Sequence, residues 1–261
     1  MQHCYLFPAI EAAWKTVQAD VLCEVKERRL TIAGDARCDS PGHSAYMGTY
    51  TLLEAPANKI LHFELLTSPE VGSSNRMEKK GLELALDYLL EQGVNIDMIF
   101  PDRHTGVKAL LRDNYGGIKH CFDACHLAKA VKKKIHEAAK GKRHKELGLW
   151  CESIIRHLYW CARTSGDNEE IVLAKWTSLI RHIANVHVHP NPLHSVCFHG
   201  DLGERLWLSE GSESFCKLRD ILMARSLATD MPKVSPREQT YGLEAFHSLL
   251  IHFAPKSTSY S

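Results

Sequence analysis

The stretch Leu30-Thr31-Ile32-Ala33-Gly34-Asp35 is a short apolar run that ends in an acid. It predicts a β-strand with a carboxylate at its carboxyl end. Two further segments rich in strand-forming residues follow at 47–54 and 59–66, after the turn residues Ser40-Pro41-Gly42 and the breaker Pro56. Three strands so close together in the chain predict an antiparallel meander.

Strands and helices alternate after this meander. A long helix is predicted by leucines at helical spacing before Gly93. Ser74 or Asn75 can cap its start, and Gly93 can stop it. Short strands are predicted at 96–100 and 118–122, and helices at 104–113 and 124–139. The order β-β-β-α-β-α-β-α predicts an α/β fold, a mixed five-stranded sheet flanked by helices, and RNase H-like folds have this order.

The predicted organisation has four parts. They are an N-terminal helical segment (1–28, with a helix at 8–28), the first part of the core (29–143), a helical insertion (144–235) and a C-terminal helix that completes the core (236–261). No strand is predicted within 144–230, where the expected packing anchors are Trp150, Trp160, Trp176 and Trp207. The last helix is predicted over 239–253, with Pro255 after its end.

The composition is that of an ordinary soluble folded protein, with 44% hydrophobic and 24% charged residues among 261. No apolar run approaches the ~20 residues of a membrane helix, and the N-terminus lacks the pattern of a signal peptide. These features predict an intracellular protein with no membrane partner. Nine cysteines without regular spacing indicate thiols or metal ligands, not disulfides.

Basic residues concentrate in one segment, although the net charge of the chain is only +1. Residues 132–145 contain one acid, Glu137, and seven basic residues: Lys132, Lys133, Lys134, Lys140, Lys142, Arg143 and Lys145. A solvated helix face is the usual explanation for an isolated run of this kind. The alternative is sequence-independent contact with DNA phosphates.

Two acids stand at predicted strand ends. Asp35 closes the first strand and Asp102 follows the fourth, and these strands are neighbours in an RNase H-like sheet, so the two carboxylates are expected to meet. Hard divalent cations such as Mg²⁺ prefer oxygen ligands of this kind. An acid at a strand end is also common as a turn residue or a helix cap. Asp39, four residues after Asp35, stays open as an alternative to it.

A third acid is expected from a helix that packs back onto the sheet. Glu244 in the last helix is the candidate, and Glu78 at the start of the first long helix is a rival or a fourth ligand. Most glutamates on helices are simply solvated, so neither residue identifies a site alone.

Five segments resemble, in one colinear order, the core of Kolobok-type transposases, which are eukaryotic DNA elements of the DDE class. The segments are 34–45, 48–51, 102–104, 122–129 and 243–247. The resemblance implies an RNase H-like catalytic domain split by a helical insertion, with Asp35, Asp102 and Glu244 as the catalytic acids. It also implies two Mg²⁺ or Mn²⁺ ions, double-stranded DNA (transposon ends and target) as partner, and location in the nucleus.

The pair Asp123 and His126 resembles a motif that follows the second catalytic acid in several eukaryotic transposase families. This resemblance implies that the pair supports the site or contacts DNA near it. A capping aspartate with a partly buried histidine is an equally good interpretation.

Histidines and one cysteine cluster between 182 and 199. Of His182, His187, His189, His194, Cys197 and His199, four could close a tetrahedral zinc site, and the predicted set is His182, His187, Cys197 and His199. The spacing is not that of a standard finger, and a histidine-rich surface loop around Pro190 and Pro192 is the alternative.

The sequence departs from the transposase group in one respect: no N-terminal THAP-type zinc module precedes residue 30. The chain is therefore expected to be a bare core, a fragment or a domesticated copy. The leading prediction is a DDE-type transposase that cleaves and joins DNA strands, with a homodimer or higher oligomer as a possible assembly. The alternatives are a catalytically inactive, transposase-derived protein that binds DNA or protein, and an RNase H-like nuclease.

Overall fold

The computed structural model describes residues 2–40, 45–102, 104–166, 168–235 and 241–256. It divides into two compact units, Met1–Cys121 with Glu238–Ser261, and Phe122–Arg237. The second unit therefore interrupts the first in sequence.

Seven strands are formed by the described residues. They are β1 (Arg29–Cys38), β2 (Met47–Glu54), β3 (Lys59–Thr67), β4 (Asn95–Pro101), β5 (Lys119–His120), β6 (Phe122–Asp123) and β7 (Val234–Ser235).

Ten α-helices are formed by the same residues. They are α1 (Phe7–Val25), α2 (Ser68–Val71), α3 (Ser74–Glu91), α4 (Thr105–Asn114), α5 (Ala124–Ala139), α6 (Leu147–Thr164), α7 (Glu169–Ile183), α8 (Glu213–Leu222), α9 (Arg225–Asp230) and α10 (Tyr241–Phe253). No helix in the described part of the chain has both the length and the apolar character that crossing a bilayer requires.

The first unit is built on a mixed five-stranded sheet in the order β3-β2-β1-β4-β5. The pairs β1–β2 and β2–β3 are antiparallel, and the pairs β1–β4 and β4–β5 are parallel. The predicted α/β class and the mixed five-stranded sheet flanked by helices are confirmed.

Helices α3 and α10 pack on opposite faces of this sheet, because residues alternate in direction along each strand. On one face Ile32 and Leu52 pack in a buried cluster with leucines of α3. On the other face Ala33, Leu53 and Phe100 pack with Leu243 of α10. Both faces are thus covered, and the carboxyl ends of β1 and β4 lie at an edge between them.

The predicted strand at 118–122 is wrong as a single element. The amide of Cys121 donates to the carbonyl of Ile99, so β5 ends against β4. The next two residues, Phe122 and Asp123, pair instead with Val234 and Ser235 in a separate two-stranded parallel sheet. Pairing with a strand far away in the chain thus divides this segment between two units.

The other boundaries differ in smaller ways. The first helix ends at Val25, because the chain turns before β1 begins at Arg29. The predicted turn residues Pro41 and Gly42, and the predicted first two residues of the last helix, lie outside the described residues.

The second unit is mainly helical and has its own buried core. The apolar face of α5 contributes Leu127, Val131 and Ile135 to this core, so the unit begins at residue 122, whereas the predicted insertion begins at 144. Trp150 and Trp176 are buried, and their indole nitrogens donate to the carbonyls of Leu206 (3.0 Å) and Leu222 (3.1 Å). Trp160 and Trp207 are partly buried against the same core.

The segment predicted to lack strands contains one isolated bridge, between Val188 and Val196. The chain reverses between them through a short 3₁₀ turn at Pro192–His194. The described residues of 144–230 form no strand, as predicted, and the bridge positions the histidine and cysteine residues on either side of it.

Candidate active site and histidine–cysteine cluster

The register of β1 and β4 brings Asp35 and Asp102 to adjacent positions. Gly34 of β1 is paired in parallel with Pro101, the last residue of β4. Asp35 is the next residue of β1 and Asp102 directly follows β4. The prediction that Asp35 closes the first strand is wrong, because β1 stays paired with β2 as far as Cys38. The expectation that these carboxylates lie close together rests on this register.

Asp35 is held by a histidine from α10. Its Oδ1 accepts from the amide of Ala36 at 2.8 Å, and its Oδ2 lies 3.1 Å from Nδ1 of His247. Nε2 of the same ring lies 3.3 Å from the hydroxyl of Thr51, which is the cross-strand partner of Asp35. Because a carboxylate only accepts, Nδ1 donates to Asp35, and Nε2 is left to contact the Thr51 hydroxyl.

His247 was not predicted as a site residue. It is buried and stands four residues after the buried Leu243, on the same face of α10. That spacing is the one sequence signal that could have indicated it, because an isolated histidine on an apolar helix face is otherwise unremarkable.

Asp39 has a different role. Its two carboxylate oxygens accept from the backbone amides of Tyr46 (3.2 Å) and Met47 (3.0 Å), where β2 begins. Aspartate commonly stabilises turns in this way. This turn contact therefore favours Asp35 over Asp39 as the candidate catalytic acid.

Glu78 approaches the two aspartates from α3. Burial, and then the carboxylates of Asp102 and Asp35, raise the pKa of Glu78 to about 7. Its Oε1 is buried without a hydrogen-bond partner in the described part of the chain. The hydroxyl of Tyr50 is also buried, and burial, followed by the charges of Glu78, Asp35 and Asp102, raises the pKa of Tyr50. Either a proton on Glu78 or a bound cation would relieve this concentration of like charge.

Glu244 is exposed on α10, three residues before His247. The helix is anchored at both ends, since Asn58 contacts the hydroxyl of Tyr241 (3.2 Å) and the Arg37 guanidinium donates to the carbonyl of Ala254. The described carboxylates do not form a closely spaced group of three or more ligands. Convergence of Glu244 on Asp35 and Asp102 stays a prediction.

The chain matches no protein-family model. No curated protein matches it either. The functional assignment therefore depends on the residues and their geometry, together with the resemblance in the five segments.

In the second unit, Asp123 caps helix α5. Its Oδ1 accepts from the amide of Cys125 at 2.6 Å, and its Oδ2 lies 3.8 Å from Nδ1 of the partly exposed His126. This geometry is that of a capping aspartate with a neighbouring histidine. A role of the pair beside the catalytic acids stays a prediction.

The seven basic residues of 132–145 are all exposed. Lys132 pairs with Glu152 at 3.1 Å and Arg143 with Glu213 at 3.7 Å, so part of this charge is neutralised locally. The arrangement is compatible with a solvated face and with phosphate contacts alike.

His182, His187, Cys197 and His199 come together in the second unit. Each offers one ligand atom, and the four atoms all lie within 4.8 Å of one another. Burial, and then the neighbouring His187 and His199, lower the pKa of His182 to about 4, and burial raises the pKa of the Cys197 thiol. The sequence selected these four residues out of six, and the same four form the group.

Proposed function

We propose that the first unit is the catalytic core of a DDE-type DNA transposase with an RNase H-like fold. It would cleave and join DNA strands by metal-dependent phosphoryl transfer. The observation that supports this most is the parallel register of β1 and β4, which makes Asp35 and Asp102 neighbours where β4 ends beside β1. The strand order and the helix α10 that returns to the sheet after an inserted unit are compatible with such a core.

The residues at this edge suit a hard divalent cation. The donors are carboxylate oxygens, and Glu78 has a buried oxygen without a partner in the described residues. Asp35, Asp102 and Glu244 would hold two Mg²⁺ or Mn²⁺ ions, with Glu78 as an additional acid. Bound there, the ions supply charge stabilisation for the attacking and leaving oxygens of an in-line phosphoryl transfer.

The protein's own groups have distinct roles in this proposal. His247 orients Asp35 through Nδ1 and is itself oriented by Thr51. Glu78, with a pKa of about 7, can hold or release a proton at neutral pH. Each step forms one phosphorus–oxygen bond and breaks another, with water as the first attacking group and a DNA 3′-hydroxyl as the second.

The direct test is Mn²⁺-dependent nicking of supercoiled plasmid by the full chain. Asp102→Asn and Glu244→Gln keep the side-chain shapes and should each abolish nicking. Asp97→Asn is the matched control, because Asp97 lies on β4, the strand that Asp102 follows. Its side chain is 55% exposed, and its Oδ1 lies 4.0 Å from a guanidinium nitrogen of Arg29. This variant should nick at the wild-type rate.

The other outcomes separate the alternatives. Cleavage of the RNA strand of an RNA–DNA hybrid, without plasmid nicking, would indicate an RNase H-like nuclease. The enzymatic proposal would be contradicted if neither substrate is cleaved and Asp102→Asn does not reduce Mn²⁺ binding. That outcome would favour a binding protein.

A further inference from the structure

The backbone of the second unit brings four metal-binding side chains together between α7 and α8. His182 lies in the last turn of α7, and Asn185 takes a left-handed conformation (φ 60°) that redirects the chain. The bridge between Val188 and Val196 then folds it back, and the amide of Cys197 donates to the carbonyl of His187. Backbone contacts thus set His187 beside Cys197.

Ligand spacing is close to that of a tetrahedral zinc site. With Zn–N of about 2.1 Å and Zn–S of about 2.3 Å, a nitrogen and a sulfur ligand stand about 3.6 Å apart. Nδ1 of His182 lies 3.5 Å from Sγ of Cys197. The imidazole centroids of His182, His187 and His199 are 4.9 to 5.1 Å apart and meet edge to face.

Two of the rings are oriented by hydrogen bonds from their outer nitrogens. Nδ1 of His199 lies 2.8 Å from the carbonyl of Gly200, and Nε2 of His187 lies 3.0 Å from Oδ1 of Asn185. Because a carbonyl oxygen only accepts, these nitrogens carry the protons, and the other nitrogen of each ring is the one that can bind a metal. Metal-bound histidines typically show this arrangement.

The remaining nitrogen of His187 supports the same conclusion. Its Nδ1 is buried and has no hydrogen-bond partner among the described residues. A buried polar atom of this kind is costly unless something binds it. Trp207 covers His182 and His187 at centroid distances of 5.6 and 5.5 Å, which shields the group from solvent on one side.

We infer that His182, His187, Cys197 and His199 bind one zinc ion, which joins the end of α7 to the irregular segment 184–212. Three imidazoles and a thiolate suit zinc and not the oxygen-preferring Mg²⁺. Four protein ligands close the coordination shell, so the ion is structural. His189 lies outside this group of four, and its Nε2, 3.1 Å from Sγ of Cys197, can donate to the thiolate. All of its residues belong to the second unit, and none of them is among the proposed catalytic residues.

The test is the metal content of the full chain, purified and then dialysed against metal-free buffer after exposure to zinc. About one zinc per chain is expected. Cys197→Ser and His199→Ala should weaken zinc affinity by more than the roughly 10- to 100-fold that the loss of an outer hydrogen bond costs. Cys216→Ser and the exposed His136→Ala, in the same unit, are matched controls that should keep the full zinc content.

Cobalt provides a second measurement that needs only the folded wild-type chain. Titration with Co²⁺ should give the visible bands of tetrahedral cobalt and a near-ultraviolet thiolate charge-transfer band. No stoichiometric zinc together with no tetrahedral cobalt spectrum would overturn the inference. So would full zinc content in both Cys197→Ser and His199→Ala, or a requirement for His189 in place of His199.

Discussion

At the scale of single residues, the contact between His247 and Asp35 makes a specific prediction. His247→Ala removes the donor to Asp35 and leaves a buried space beside Thr51, so we expect a loss of about 1–3 kcal/mol in the free energy of unfolding. Asp35 would also be less well oriented, so the Mn²⁺ concentration needed for half-maximal nicking should rise. Denaturant unfolding and a Mn²⁺ titration of nicking measure the two effects.

His252→Ala is the control for this prediction. His252 is exposed on the same helix and should be replaceable without either change. A purely packing role for His247 would lower stability but leave the Mn²⁺ requirement at its wild-type value.

Glu78 gives a prediction about pH. Its pKa is raised from 4.5 to about 7, so the folded state holds this proton more tightly than the unfolded state does. Stability is therefore expected to fall as pH rises from about 4.5 to about 7, where the unfolded chain has released the proton and the folded one is losing it. Glu78→Gln should remove this loss and raise stability at pH 8 by roughly 1–3 kcal/mol, after allowance for partial exposure.

The comparison for Glu78→Gln is thermal unfolding at pH 4 and pH 8. At pH 4 both states are largely protonated, so the variant and the wild type should differ little. Glu91→Gln, at the exposed end of the same helix, is the control and should not change the pH dependence. An equal effect of Glu78→Gln at both pH values would contradict the electrostatic explanation.

At the scale of secondary-structure elements, the close approach of α3 to the sheet depends on Gly81. A Cβ at this position would lie 2.6 Å from Cβ of Tyr50 and 2.9 Å from Cδ1 of Leu66. Gly81→Ala should therefore destabilise the fold by about 1–3 kcal/mol, although alanine favours helix by about 1 kcal/mol. Chemical denaturation of the variant measures this difference.

Gly148 in α6 is the matched helical glycine. A Cβ there would meet Cβ of Ala139 at 3.7 Å, an ordinary contact. Gly148→Ala should keep or raise stability by up to about 1 kcal/mol. Equal effects of the two substitutions would mean that the spacing between α3 and β2 does not depend on Gly81.

Elements with strong local patterns could be predicted from the sequence, and elements fixed by distant partners could not. β1, β2 and β3 follow from apolar runs between turn residues. The neighbouring positions of Asp35 and Asp102 are predicted from the RNase H-like strand order, in which the first and fourth strands are adjacent. The division of 118–122 depends on pairing of Phe122 with Val234, which no local pattern indicates. For the same reason the contact of His247 with Asp35 and the burial of Glu78 emerged only from the structure.

At the scale of the whole molecule, the two units have separate buried cores. Leu86 belongs to a cluster made only of first-unit residues, and Leu158 to one made only of second-unit residues. Leu86→Ala and Leu158→Ala should each lower the free energy of unfolding by about 2–5 kcal/mol. Each should destabilise mainly the unit that holds the residue. Amide hydrogen exchange of each variant measures the effect, with β1–β4 reporting on the first unit and α6–α7 on the second. Faster exchange throughout the chain in either variant would contradict the prediction.

The second unit is inserted in the sequence between β5 and α10, so the order of synthesis on the ribosome has a consequence for folding. The sheet strands emerge first, but Leu243, which covers Ala33, Leu53 and Phe100, emerges only after the whole second unit. During that interval one apolar face of the nascent sheet has no cover from α10, which favours chaperone binding or aggregation. The partner of Asp35 is also made last, so the proposed catalytic site cannot assemble before synthesis has passed His247.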